Sequence, residues 1–376
     1  MVQYRFTIMS LLLASALVLS QAGQNRWVPP YSALEVPVDP KPFVERMRDK
    51  TEEIYLEGDR LTFLFKSKAE KVELLCGLQL DLKKIPATDL WIAQAKMVDW
   101  DRAFFNYYFA DGGYKMGDRL NFVAWAGPKA PKMPESVGEL KGTLKVLQIP
   151  SKAMGEDRRL TIYLPPGPSK GLPAIYMADG QGAAGYAKVL EPLILQKKVR
   201  PIALIGIHCG EYKGDRAKPY DMNFDFRAKE YLKVADPETY EKSLELFCGE
   251  AVRWATKEYG LSNKVEDRAI QGVSNGGAFA TTAAVDRPGV FGYAMPFSVA
   301  AYDRDAFKKA IVGKKLPKFY FAAGTLESFI RGTNAAHEML SAEKFATVNE
   351  SYVSGHDMVM WNIAFLKYVQ VIFPAK

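Results

Sequence analysis

The chain has 376 residues, 48% hydrophobic and 25% charged, with a formal net charge of +7. This composition supports a sizeable core and excludes a disordered or fibrous chain, and the length suits two domains, one of them a large α/β unit. The basic residues are scattered, which argues against nucleic acid as a partner. Three cysteines without CxxC spacing and three histidines offer no familiar metal ligand set, so neither metal nor cofactor is expected.

In chain order, Arg5, the apolar stretch 8–19 and Ser20-Gln21-Ala22 read as a cleavable export signal over residues 1–22. The mature chain is then periplasmic or secreted, with no stable membrane anchor after signal cleavage. Residues 23–50 are proline-rich and aperiodic, which predicts an extended surface leader. Within 51–125 the runs RLTFLFK (60–66), VELLC (72–76), LWIAQA (90–95) and FFNYYFA (104–110) are parted by turn residues, predicting an all-β sandwich. Residues 126–140 hold three prolines and few large apolar side chains, as a linker would.

Over residues 141–376 the pattern changes. Segments 142–150 and 159–164 suit a leading antiparallel pair. Continuous apolar runs at 173–177, 202–207, 268–273, 293–299, 318–322 and 349–353 then alternate with helical stretches. Such alternation predicts an α/β fold, a mostly parallel sheet with helices on both faces.

The form G-x-S-x-G occurs twice, and context separates the copies. Gly167-Pro168-Ser169-Lys170-Gly171 sits in a Pro/Gly turn with no helix behind it. Gly272-Val273-Ser274-Asn275-Gly276 follows the strand RAIQGV and precedes the small-residue helix GAFATTAA (277–284), the strand–turn–helix order of a nucleophile elbow. Ser274 is therefore the candidate nucleophile, with its hydroxyl exposed above the sheet, and the Asn275 N–H faces a developing oxyanion.

A serine needs a base, and in this fold the histidine follows it in sequence. His337 lies within an amphipathic helix. His356, in Ser354-Gly355-His356-Asp357 after the last strand, lies at the chemical edge of the sheet and is the preferred base. The carboxylate that orients it is expected at Glu327, in GTLES (324–328), with Asp303 and Asp305 as competitors and Asp357 too close in sequence. A second oxyanion donor is expected at Gln181 or Gly180, after the strand PAIYM. Arg216 and Arg227, in the long insertion after 202–207, are candidates for a cationic wall that binds an anionic substrate, with a structural salt bridge to Glu230 or a neighbouring acid as the equal alternative for Arg227.

With IYLPPG (162–167), IYMADG (175–180), FRAKEY (226–231), GVSNGG (272–277), GTLES and SGHDMVMW (354–361), the segment 142–374 resembles the esterase family of α/β-hydrolases. That family includes enterochelin and other siderophore trilactone esterases, feruloyl and carbohydrate esterases, and mycolyltransferases. The resemblance implies an α/β-hydrolase fold and a Ser274-His356-Glu327 triad. Family members commonly carry Asp at the position of Glu327 and a second glycine at that of Ser354. The β segment, with Trp91 and FFNYYFADGG (104–113), resembles the immunoglobulin-like early-set domain that precedes the hydrolase in enterochelin esterases and several polysaccharide esterases. An exported serine ester hydrolase acting on a small ester, such as a siderophore or hydroxycinnamate ester, is the leading expectation. A carbohydrate esterase, an acyltransferase and a non-catalytic glycan- or envelope-binding protein are the alternatives.

Overall fold

Alternating apolar sequence in the first third of the chain and continuous apolar runs in the rest build two packed units, seen in a computed structural model that describes residues 28–34, 39–113, 122–215 and 221–375. The expected export signal and Arg216 lie outside the described residues. The first unit comprises β1 (Tyr31–Ala33), α1 (Lys41–Arg46), β2 (Glu52–Glu57), β3 (Arg60–Lys66), β4 (Val72–Cys76), β5 (Leu80–Asp81), β6 (Lys83–Lys84), β7 (Leu90–Met97), β8 (Phe104–Asp111) and β9 (Val123–Ala126). One antiparallel sheet runs β1-β7-β3-β2 with β6 beside β7, and the other runs β5-β4-β8-β9. Side chains two apart share a strand face. Leu61 and Phe63 of one sheet thus meet Val72, Leu74, Phe105 and Tyr107 of the other in a single sandwich core.

The expected surface leader is structured where it is described. Tyr31 pairs opposite Met97, extending the first sheet. A proline in its first turn starts α1, where the missing N–H costs nothing, and Phe43 and Met47 bury against Leu64 and Ile92 in a second small core. The linker is docked as well: Ala130 and Leu140 pack on the second unit, and the Val137 N–H donates to the Lys188 carbonyl at 3.1 Å.

The second unit contains β10 (Thr143–Ser151), β11 (Glu156–Leu164), β12 (Ala174–Met177), α2 (Ala183–Leu195), β13 (Ala203–Ile207), α3 (Phe226–Tyr231), α4 (Pro237–Glu245), α5 (Ala251–Tyr259) and β14 (Arg268–Val273). It continues with α6 (Asn275–Asp286), β15 (Tyr293–Phe297), α7 (Arg304–Ile311), β16 (Lys318–Gly324), α8 (Ile330–Ala342), β17 (Thr347–Tyr352) and α9 (Met358–Ile372). Among the described residues the sheet order is β10-β11-β13-β12-β14-β15-β16-β17, antiparallel across β10-β11-β13 and parallel beyond. Strand alternation sorts the side chains to two faces. Ile175, Met177 and Tyr320 join α2 and α9 on one, and Tyr176, Phe319 and Phe321 join α3 to α8 on the other. The strand order reverses at β12, so the carboxyl ends of β12 and β14 open the crevice in which α/β sheets place their ligands.

Glu191 of α2 ties the start of this unit to its sheet. Fully buried, it accepts the Lys141 and Gly142 N–H groups, each at 2.7 Å, and the Tyr163 hydroxyl at 3.0 Å. Removing an acceptor costs about 1–3 kcal/mol for each buried donor left unpaired. Glu191→Ala is therefore expected to lower unfolding free energy by at least about 2 kcal/mol in urea titration, and a loss within experimental error would show that the three donors find other partners.

Candidate active site

β14 ends at Val273 and α6 begins at Asn275, so Ser274 alone makes the turn between them. Its backbone sits at φ 58° and ψ −122°, a conformation that costs a non-glycine residue about 1–3 kcal/mol. The turn closes only because its neighbours lack side chains. A Cβ on Gly272 would lie 2.0 Å from the Gly276 carbonyl oxygen, and one on Gly277 would lie 2.4 Å from that of Phe297. The Ser274 N–H donates to the Phe297 carbonyl at 3.0 Å, and the Ser274 carbonyl accepts from Ala278 and Ala300. Ser274 is buried rather than exposed as expected, and its Oγ has no hydrogen-bond partner among the described residues. Asn275 opens α6, where the first N–H groups of a helix have no intrahelical acceptor.

Two loops at the same edge of the sheet bring Glu327 and His356 together. His356 Nδ1 hydrogen-bonds Glu327 Oε2, and both residues are 5% exposed. Glu327 Oε1 accepts from the Ser298 hydroxyl at 2.6 Å and the Gly324 N–H at 2.9 Å. The Ser298 oxygen in turn accepts from Trp361 Nε1 at 2.8 Å. The imidazole is held between Phe329, centroids 4.5 Å apart, and the Trp361 ring, perpendicular to it at 4.9 Å. A carboxylate at Nδ1 selects the tautomer that leaves Nε2 as an acceptor, and His356 Nε2 has no partner among the described residues. No hydrogen bond joins it to Ser274 Oγ.

The competing residues are occupied elsewhere. Asp303 caps α7 by accepting the Ala306 N–H, with Asp305 in the first turn of that helix. His337 Nδ1 pairs with the Thr347 hydroxyl, and Ser169 donates to the Tyr259 carbonyl. Asp357 caps α9 through the Val359 and Met360 N–H groups. Burial pushes its carboxyl up to about 7, against the pull of those donors, the Asn106 N–H and the Ser354 hydroxyl.

Gly180 and Gln181 form a 3₁₀ turn directly after Asp179, which takes up a left-handed conformation at φ 56°. A Cβ on Gly180 would lie 2.2 Å from the Gly206 carbonyl carbon, so only glycine lets this loop sit on β13. The side chain of Gln181 donates to Cys209 Sγ at 3.6 Å. Arg227 departs from its expected place in an open cationic wall. It is 1% exposed, and its Nε and Nη2 donate to the two Asp179 carboxylate oxygens at 2.7 Å each. Burial opposes its charge, but the carboxylate outweighs burial and raises its pKa further. Its partner is also not Glu230, which forms a bidentate pair with Arg158 at 2.8 Å. The Arg227–Asp179 pair and the Tyr231 hydroxyl, which accepts the Asp179 N–H at 2.9 Å, brace the loop carrying Gly180 and Gln181.

Four of these residues carried no role in the sequence reading. Trp361 stood in SGHDMVMW, Asp179 in IYMADG and Tyr231 in FRAKEY with nothing to mark them as hydrogen-bonding partners at this site, and Ser298 belongs to no motif. All three cysteines are free thiols, so Cys209 and Cys248 are not bridged. Among the described residues no group of three His, Cys, Asp or Glu side chains could hold a metal ion, and no helix is long and apolar enough to cross a membrane.

Comparison with known proteins follows this geometry. The enterobactin esterase from Shigella flexneri superposes with a TM-score of 0.64 at 17% identity, covering 87% of this chain and 98% of its own. The ferric enterobactin esterase from Salmonella typhimurium gives 0.61 at 15% identity, covering 87% and 98%. A CE1 ferulic acid esterase from Anaeromyces mucronatus gives 0.50 at 16% identity, covering 62% of this chain and 91% of its own. At these identities the likeness establishes the fold, an α/β-hydrolase sheet behind an antiparallel β-sandwich. No curated protein matches the chain. Residues 151–371 match the family described as "Esterase: Putative esterase", and with more than half of its length inside that match the chain belongs to the Esterase family.

Proposed function

We propose that this esterase is a serine carboxylic ester hydrolase that works through an acyl-enzyme, with Ser274 as nucleophile, His356 as base and Glu327 as the carboxylate that orients it. The observation that carries this reading is the closed set of hydrogen bonds around Glu327, which spends both carboxylate oxygens and leaves His356 Nε2 as the one free acceptor of the pair. In the acylation step Nε2 takes the Ser274 proton as Oγ attacks the ester carbonyl carbon. The resulting oxyanion is met by the Asn275 N–H and by an N–H of Gly180 or Gln181. Glu327 stabilises the imidazolium, which then protonates the departing alkoxide. Water activated by the same nitrogen hydrolyses the acyl-enzyme.

For the substrate, the enterobactin esterases match both units of the chain, whereas the ferulic acid esterase matches a share close to the hydrolase unit alone. This supports a siderophore-type ester, with a catecholate or similar aromatic acyl group, over a feruloyl sugar. Arg227 contributes to this reading as a brace for the oxyanion loop. Arg216 is the remaining candidate for contact with an anionic substrate. Export to the periplasm or medium rests on residues 1–22 of the sequence.

Ser274→Ala is expected to abolish hydrolysis of 4-nitrophenyl butyrate and labelling by a fluorophosphonate; retained labelling would place the nucleophile elsewhere. Glu327→Gln should lower kcat by about 10³ to 10⁴, the scale seen when a triad carboxylate becomes an amide, while Asp303→Asn stays near wild type. The reverse ranking would move the acid to the loop after β15.

On purified protein, a cyclic trilactone of catechol-acylated serine should be hydrolysed with kcat/KM at least about tenfold above that for methyl ferulate, an advantage of roughly 1.4 kcal/mol in the transition state. A preference for the ferulate would favour the carbohydrate-esterase alternative, and ester products formed with added alcohols would favour acyl transfer.

A further inference from the structure

The loops that carry Glu327 and His356 are joined to each other and to the β-sandwich. The Thr325 and Leu326 N–H groups donate to the carbonyls of Tyr352 at 2.8 Å and Ser354 at 3.0 Å, and a Cβ on Gly324 would lie 2.0 Å from the Ser354 oxygen. Leu326, immediately before Glu327, turns away from the hydrolase cores and is 3% exposed inside the sandwich core, with Val353 packed against the same cluster. From the other side the sandwich reaches back. The Phe104 N–H donates to the Val353 carbonyl at 3.0 Å, and the Asn106 N–H donates to Asp357 Oδ2 at 3.4 Å. Gly355 lies against Gly77 so closely that a Cβ on it would sit 2.2 Å from the Gly77 oxygen. The residues flanking His356 on both sides, and the one preceding Glu327, thus rest on the first unit.

We propose that the sandwich core facing the hydrolase unit supports the catalytic loops, with Leu326 a positioning residue that seats the acid and base loops in register with Ser274. This inference rests on the triad reading above. A side chain buried in one unit sets the height of the carboxylate in the other, and a shift of about 1 Å in such a group costs on the order of 10²-fold in rate. The apposed glycines Gly77 and Gly355 fix how close the two backbones come. An isolated hydrolase sheet would keep the same three residues without this support.

The test uses the full chain and 4-nitrophenyl butyrate. Leu326→Ala should lower kcat by about ten- to a hundredfold with KM within twofold, in protein shown folded by circular dichroism. Leu326→Met, which refills the same space, should recover kcat to within about threefold of wild type. Ile92→Ala makes a comparable hole in the small core beneath α1, away from both loops, and should lower Tm but leave kcat within twofold. If Leu326→Ala fails to fold, Leu326→Val replaces it with the same expected direction. Equal kcat for the Leu326 and Ile92 variants would overturn the inference, as would a loss that appears only in KM. Glu327→Gln, run in parallel, separates the two readings. Loss of kcat there with none at Leu326 overturns the positioning role alone, whereas no loss at Glu327 overturns the triad and the positioning role together.

Discussion

Everything at the candidate site depends on one backbone constraint, the left-handed turn at Ser274. A non-glycine residue does not hold φ 58° and ψ −122° by preference. It is held there because β14 must end and α6 must begin without an intervening loop, and because Gly272 and Gly277 let carbonyls approach to distances that a methyl group would forbid. The small-residue helix α6 follows from the same demand, since a bulkier first turn could not pack under β15. Loop placement then depends on that turn. The Ser274 carbonyl anchors Ala300, on the segment that also carries Ser298, and Ser298 positions Glu327.

Much of this order was legible in the sequence, for physical reasons. The continuous apolar runs of β12, β13, β15 and β16 became strands at the expected places because a parallel sheet covered on both faces has no polar side to interrupt them, whereas β17 is a polar, half-buried strand at the sheet edge. The elbow was readable because its glycines and its strand–turn–helix order are local. Other features were hidden because they are made by contacts distant in sequence. Proline richness masked β1 and α1, which depend on pairing with β7 and on burial of Phe43 and Met47. Ser298 and Trp361 gain meaning only when β15 and α9 meet Glu327. Leu326 looked like one apolar residue of a loop, and nothing local says which of two cores it enters. Arg227 stayed open between a cationic wall and a structural salt bridge because the acid that pairs with it, Asp179, lies 48 positions earlier and nothing local names it.

The two buried arginine–carboxylate pairs differ in what they hold. Arg227–Asp179 lies beneath the loop that carries Gly180 and Gln181, and Arg158–Glu230 ties β11 to α3, with the Gly210 N–H also bound to Glu230 at 2.9 Å. Desolvation makes such pairs weak sources of net stability, but breaking one leaves an uncompensated buried charge that costs several kcal/mol. Their contribution is therefore geometric: each permits one arrangement of its loop and penalises the others.

The sharing of Leu326 and Val353 with the sandwich core, and of Phe104 with the hydrolase core, has a consequence for how the chain comes apart. Two domains joined by a loose linker melt independently, each with its own enthalpy, whereas units that exchange core side chains forfeit part of their burial when either one opens. Here the boundary drawn by the prolines of residues 126–140 is not a boundary in energy. Opening either unit exposes side chains buried in the other, so heating is expected to give a single calorimetric transition.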